Sequence, residues 1–493
     1  MTLPRAGVIV VLVAAMVRLA VAAAVPLHPD EAFYWEWSRR LATGYSEHPP
    51  MVALFIRAGT GLFGDTSFGV RIASVLCGVV AAWAAWQAAR PVAEPDAGAA
   101  AAIVLTALPV MSGAFLLATP DAPLLAFVAL TLMCVARALT ATARAPALQW
   151  WVGAGLAAGL AMASKYTAVL VPLAVLLALC AISSLRRALS TPGPYLAVAV
   201  ASLVMLPVLL WNADHGWVSF RSQVAHGLNQ SGGEAWRREV EWIGGQVLLA
   251  SPILFALAVA AVARAVRTEG RIARVLAAVA LVVAAFFGWS ATRSKVEANW
   301  PAPAWVAAAI LMAIVPHGAR WLKWRTWGVL LGFLFAAVTY VQSVARVVPL
   351  PPRRDPTTRA YGWADLARAV ARDTAVVHRR RWLAANRYQD AAELAFNLPG
   401  HPEVFYLNLT RRNNQYLLWP TFPDRARVGD DMLLVLGERP ADAPDPALVS
   451  LAPLFGSLEQ GELVTMRRGS SQVGTRRLWL LRDWRGAWPP PPQ

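Results

Sequence analysis

The chain has 493 residues, of which 57% are hydrophobic and 15% charged. That balance excludes an ordinary soluble globular protein, which carries more charge and less apolar content, and points to a polytopic membrane protein. The formal net charge of +16 argues for basic membrane loops that meet anionic lipid rather than for nucleic-acid binding. Cys77, Cys134 and Cys180 fall in apolar segments, with neither metal-ligand spacing nor a disulfide framework.

The first apolar run, at about residues 7–25, has no small-residue cleavage site before the acidic stretch that follows, so it reads as a retained helix. Further apolar runs recur at about 68–90, 98–117, 122–139, 149–164, 166–184, 194–211, 243–264, 274–291, 303–317 and 327–345, which gives about eleven transmembrane helices. With the N-terminus in the cytoplasm, the inner loops collect Arg90; Arg137 and Arg144; Arg186 and Arg187; Arg264, Arg267, Arg271 and Arg274; and Arg320, Lys323 and Arg325. The same alternation puts the segments at about 26–67, 212–242 and 292–302, and everything after Arg346, on the outside. Pro349-Leu350-Pro351-Pro352 reads as a linker. The domains are then a membrane domain over 1–345, a small soluble periplasmic α/β domain over 346–488 and a proline-rich tail over 489–493. Within the second, Trp363–Val370 and Asp390–Phe396 have helical character, while Val404–Leu407 and Met432–Leu436 read as strands. It has no cysteine and must rely on its own core.

The stretch from Pro26 to Met51 carries the unusual chemistry. It places Asp30, Glu31, Glu36, Glu47, His28 and His48 beside a membrane boundary, where ionisable side chains are costly unless a function needs them. Asp30 and Glu31 are adjacent, so they diverge by about 100° on a helix; one should face a reacting centre and the other should hold the loop. Phe33, Tyr34, Trp35 and Trp37 read mainly as an interfacial aromatic belt, with some free to line a sugar or lipid groove. Glu47-His48-Pro49-Pro50 is a rigid corner, because its prolines restrict the backbone. His28, His48, His226 and Glu47 are candidate ligands for a divalent ion, though without the close spacing of a strong metal motif. The other outer segments add Asp121, Lys165, Asp214, His215, Arg221, His226, Arg293, Lys295 and Glu297. A structural ion pair explains any one of these equally well, and their gathering on one side of the membrane is the signal.

Asp30-Glu31 after a first helix, then Glu47-His48-Pro49-Pro50-Met51, Thr119-Pro120-Asp121-Ala122-Pro123 and Ser164-Lys165-Tyr166-Thr167, resembles the polyprenyl-phosphate-dependent glycosyltransferases. That family includes the bacterial aminoarabinose transferases and the protein O-mannosyltransferases (glycosyltransferase family 39, GT-C fold). The resemblance covers about the first 345 residues, and Arg387–Tyr416 resembles the outer domain of the bacterial members.

The resemblance implies transfer of a sugar from a polyprenyl phosphate to an acceptor hydroxyl on a lipid, glycan or protein. The reaction would be inverting, at the outer face of the inner membrane, and would need no nucleotide cofactor. It implies Asp30 as base or acceptor-positioning residue, supported by Asp121, with Glu31 in the same catalytic group. His48 stands where the aminoarabinose transferases have a lysine that looks like a phosphate ligand. Substrate binding is then expected from His48, Lys165, Tyr166, Arg221, Arg293 and Lys295, with the phosphate held at His48 or shifted to Lys165, Arg221, Arg293 or Lys295, and metal binding from Glu47 with His226. The tyrosine that follows the fifth-loop lysine in relatives is replaced by the Asn299-Trp300-Pro301 region. Two rivals use the same membrane body. A lipid-linked-sugar flippase would place its carboxylates near the bilayer midplane. A non-catalytic envelope assembly subunit would tolerate replacement of Asp30 and Asp121.

Overall fold

A computed structural model describes residues 2–94, 96–228, 234–267, 270–316, 318–374, 381–409, 414–438 and 445–488. The proline-rich tail expected over 489–493 lies outside them. The chain divides into two compact units: a membrane unit of Met1–Ala23 with Leu41–Val341, and a C-terminal unit of Ala24–Arg40 with Gln342–Gln493.

In chain order the helices begin α1 (Leu3–Ala24), α2 (Pro29–Arg39), α3 (Met51–Phe63), α4 (Ser67–Ala89), α5 (Ala97–Ala107), α6 (Pro109–Ala114), α7 (Asp121–Thr140) and α8 (Arg144–Met162). They continue as α9 (Leu170–Ala181), the single turn α10 (Ser183–Arg186), α11 (Gly193–Asp214), α12 (Val218–Leu228), α13 (Ala235–Ala250), α14 (Pro252–Arg267), α15 (Arg271–Ala291), α16 (Ala302–Ile314) and α17 (Ala319–Ala345). Six of these, α1, α4, α7, α11, α15 and α17, are long and apolar enough to cross a membrane. Two bent pairs, Tyr166–Ala181 with Ser183–Ser190 at 108° and α13 with α14 at 101°, raise the number to eight if each is one span. The sequence suggested about eleven. The difference lies in α5 and α16, which are too short to span, in α8, which is not apolar enough over a spanning length, and in breaks at proline. Pro109 opens α6 directly after Leu108, and Pro252 opens α14 after Ser251, whose φ is +68°. The segment at 26–67, expected as a loop, contains both α2 and α3.

The membrane unit is built around α7 and α16. The run Val306–Ala313 is wholly buried, as are Leu124, Leu125 and Val128. On the periphery α1 exposes Val8, Leu12 and Met16, α11 exposes Leu203 and Leu210, and α17 exposes Leu330 and Leu334. An apolar rim of this extent is a surface for lipid, not for water. Small residues bring helices together: a Cβ at Gly155 of α8 would stand 2.3 Å from the Ala197 carbonyl oxygen of α11. The buried Arg18 of α1 donates from Nε to the Tyr340 hydroxyl at 3.2 Å, and that hydroxyl donates to the Ser112 carbonyl at 2.8 Å. Charge inside the unit is thereby given polar partners.

The C-terminal unit is a five-stranded sheet with helices α18 (Trp363–Thr374) and α19 (Tyr388–Asn397). Its strands are β1 (Arg381–Ala385), β2 (Val404–Tyr406), β3 (Asp431–Gly437), β4 (Phe455–Arg468) and β5 (Ser471–Trp484), in the order β2-β1-β3-β5-β4. β1 pairs in parallel with β2 and β3, while β5 is antiparallel to β3 and β4. Met432–Leu436 of the central β3 are all buried, as a strand covered on both faces requires. Gly469, at φ +58°, turns the β4–β5 hairpin. β1, β4 and β5 were not anticipated from sequence.

Candidate active site

Within the membrane unit, Asp121 opens α7 and Lys165 sits in extended conformation at the joint after α8. Both are buried, at 6% and 7% exposure. Lys165 Nζ donates to Asp121 Oδ1 at 2.8 Å, and Asn299 Nδ2, from the connection between α15 and α16, donates to Oδ2 at 2.6 Å. Lys165 Nζ also stands 6.0 Å from the centre of the Trp300 ring. A charged pair taken out of water needs such supplementary hydrogen bonds. Two other connections of the chain therefore converge on the Asp121 carboxylate. In the sequence Asn299 stands only within the region that replaces a family tyrosine, and its place in a polar outer connection is the one hint of a role.

Tyr166 is beside this node. Its hydroxyl hydrogen-bonds Ser219 Oγ at 2.8 Å and accepts from Asn212 Nδ2 at 3.2 Å, and its ring stacks on Phe220 at 4.4 Å. The Glu47–Pro50 corner is tied to the same part of the unit. The Met51 amide donates to the Ala163 carbonyl at 3.3 Å, and Gln223 Nε2 of α12 donates to the Glu47 carbonyl at 2.6 Å. Tyr45 is fully buried against this corner, its amide donating to the His48 carbonyl at 3.2 Å, and burial pushes its hydroxyl up to about 12. The side chain of His226, in the last turn of α12, lies outside the described residues. Among the described residues no group of three or more His, Cys, Asp or Glu could hold a metal ion. The remaining cations are peripheral. Lys295 pairs with Glu297 at 2.9 Å with both side chains exposed, Arg293 lies over the Trp289 ring at 4.8 Å, and Arg221 is exposed on α12.

Asp30, Glu31 and the aromatic residues belong to the C-terminal unit. His28 caps α2: its Nδ1 accepts from the Asp30 amide at 3.3 Å, while Glu31 Oε2 accepts from the His28 amide at 2.8 Å. Glu31 is wholly buried in this capping box. The Asp30 side chain is 47% exposed, with His28 Nδ1 at 3.7 Å and the Tyr388 hydroxyl donating at 3.4 Å. Two consecutive carboxylates thus have opposite situations, one structural and one accessible.

The aromatic residues do not form an interfacial belt. Phe33 packs on Tyr388 at 4.7 Å and Tyr416 at 5.6 Å, and Trp35 meets Phe396 edge-on at 5.1 Å. Helical spacing turns them onto α19 and the chain beyond it, where burying aromatic area is favourable. Glu36 is buried there too. Burial raises its pKa against the opposing charges of Arg39 and Arg40, and Arg39 Nη1 donates to it at 3.0 Å.

Residues 47–211 match a family model described as dolichyl-phosphate-mannose-protein mannosyltransferase. Lipid A galacturonosyltransferase RgtD of Rhizobium johnstonii is 30% identical over 386 residues, spanning 75% of this chain and 77% of that protein. The undecaprenyl phosphate-alpha-4-amino-4-deoxy-L-arabinose arabinosyl transferase of Pseudomonas paraeruginosa is 32% identical over 193 residues, 36% of this chain and 35% of its own length. Among solved structures, ArnT from Cupriavidus metallidurans bound to undecaprenyl phosphate aligns with a TM-score of 0.69 at 18% identity, over 98% of this chain and 99% of that one. That likeness shows a shared fold.

Proposed function

This chain belongs to the GT-C glycosyltransferases, the family of the aminoarabinose transferases and protein O-mannosyltransferases, and on that premise we propose that it moves a sugar from a polyprenyl phosphate to an acceptor hydroxyl, with Asp30 as base. It is a multi-pass membrane glycosyltransferase. Transfer takes place on the outer face of the inner membrane, with the N-terminus in the cytoplasm and the C-terminal unit outside, as the distribution of arginine supports; this topology needs an odd number of crossings, so a shorter apolar helix such as α5 or α16 must cross in addition to the six or eight longer spans. The acceptor is a lipid, glycan or protein.

The observation that carries this reading is the contrast at the start of α2: Asp30 keeps an accessible carboxylate while Glu31 is committed to the helix cap. In the reaction the bond between the anomeric carbon and the lipid-phosphate oxygen breaks, and the phosphate keeps the electron pair. The acceptor oxygen bonds to that carbon from the opposite face, which inverts its configuration. The acceptor proton passes to Asp30. Charge developing on the phosphate calls for fixed cations in a water-poor site. Lys165 is the proposed source inside the unit, with His48 and the Tyr166 hydroxyl as hydrogen-bond donors, while Arg221, Arg293 and Lys295, which are exposed, are proposed to meet the phosphate from the rim. Lys165 takes part while held by Asp121, so it acts through a preset geometry and not as a mobile counter-ion. No step is assigned to a metal.

Asp30→Asn keeps the size of the side chain and removes the base. We expect a fall of about 10²–10⁴ in the rate of transfer from a labelled polyprenyl-phosphate sugar in proteoliposomes, with normal insertion. Retention of more than about a tenth of the wild-type rate would refute the assignment.

A further inference from the structure

We propose that Tyr388 is the positioning residue for Asp30, so that the C-terminal α/β unit takes part in the reaction as the support of its base. The inference rests on the reading of Asp30 given above. The Tyr388 hydroxyl donates to Asp30 Oδ1 at 3.4 Å, longer than an ordinary O–H···O bond and able to tighten when substrate arrives. Tyr388 itself is held in place. It opens α19, is 7% exposed and packs its ring on Phe33 at 4.7 Å. Phe33 lies three residues after Asp30 on α2, hence on an adjoining part of the same helix face.

The rest of α2 is fastened to the same support. Trp35 packs on Phe396, two turns along α19 from Tyr388. Arg39 Nη2 donates to the His401 carbonyl at 2.8 Å, and Arg40 pairs with Glu403 at 2.8 Å while lying 4.5 Å from the Trp419 ring centre. Contacts at both ends and in the middle set the rotation and the register of α2, and so the direction of the Asp30 carboxylate. His28, from the chain just before α2, is a second polar neighbour. A preorganised base needs a supporting shell of this kind.

Tyr388→Phe removes the hydroxyl and keeps the ring, so the packing on Phe33 persists. In the full-length protein in proteoliposomes, it should lower kcat about tenfold, the size expected for one hydrogen bond to a charged group. KM for the lipid-linked donor should stay within about twofold and the melting temperature should be unchanged, because the contact orients a base and does not bind donor. Tyr388→Ala, which also removes the ring, should lose melting temperature as well as kcat. Wild-type kcat in Tyr388→Phe would overturn the inference, as would a rise in KM alone. Asp30→Asn is measured in parallel. If it is inactive while Tyr388→Phe turns over normally, only the positioning role fails. If Asp30→Asn is active, the base assignment fails and the positioning role goes with it.

Discussion

Asp121 illustrates how firmly a single side chain can be fixed by partners from distant parts of the chain. Its two oxygens are taken up by Lys165 and Asn299, at 2.8 and 2.6 Å, in a site almost closed to water. Removing one member of such a pair leaves a buried charge without its partner and costs about 3–5 kcal/mol. Lys165→Met should therefore lower the melting temperature in detergent clearly. Adding Asp121→Asn should recover most of it, since the surviving group is then neutral and keeps a hydrogen-bonding amide. If the node also serves transfer, the stable double variant stays inactive. Full activity in it would reduce the cluster to a structural tie.

At the scale of an element, α2 depends on its first turn. The capping box uses Glu31, so Glu31→Ala should cost about 1 kcal/mol through loss of the cap. Glu31→Gln, which still accepts from the His28 amide, should keep stability and most of the transfer rate. The measurements are melting temperature and turnover of purified protein, compared with Asp30→Asn. Inactive but stable Glu31→Gln would show that this carboxylate has a chemical part after all. The two acids could not be ranked from their order in the chain. Adjacency indicated only that they diverge, and which one turns inward depends on where His28 ends the preceding segment and where α19 lies. The aromatic residues of α2 show the same limit: their composition suits a membrane interface, and only the partner surface of Tyr388, Phe396 and Tyr416 shows that they pack inside the C-terminal unit.

Over the whole molecule, the membrane unit relies on close helix contacts made by small residues. At Gly155 even one added carbon would meet the Ala197 backbone at 2.3 Å, and backbone of a packed helix cannot yield as a side-chain tip does. Gly155→Val should force α8 and α11 apart and reduce the folded, monodisperse fraction seen by size-exclusion chromatography. A normal profile with normal activity would mean that these helices tolerate separation. Hydropathy located the apolar segments well but counted them differently from helix length. Composition along a window does not register a break at Pro109 or at Ser251-Pro252, where chain direction changes inside an apolar run.

What the sequence alone determined is whatever depends on local composition and order. That covers the apolar helices, the α/β character after Arg346, the helices near 363–370 and 390–396, the strands near 404 and 432, and the set of polar residues from which the site is drawn. The tertiary structure alone decided which of those residues meet. Lys165 and Asn299 reach Asp121 across 44 and 178 positions of chain, and Tyr388 reaches Asp30 across 358. It also decided that Ala24–Arg40 belongs with the C-terminal unit. Pairings over such separations leave no periodic trace in a single chain, because they follow from how finished helices pack and not from the pattern that forms each one.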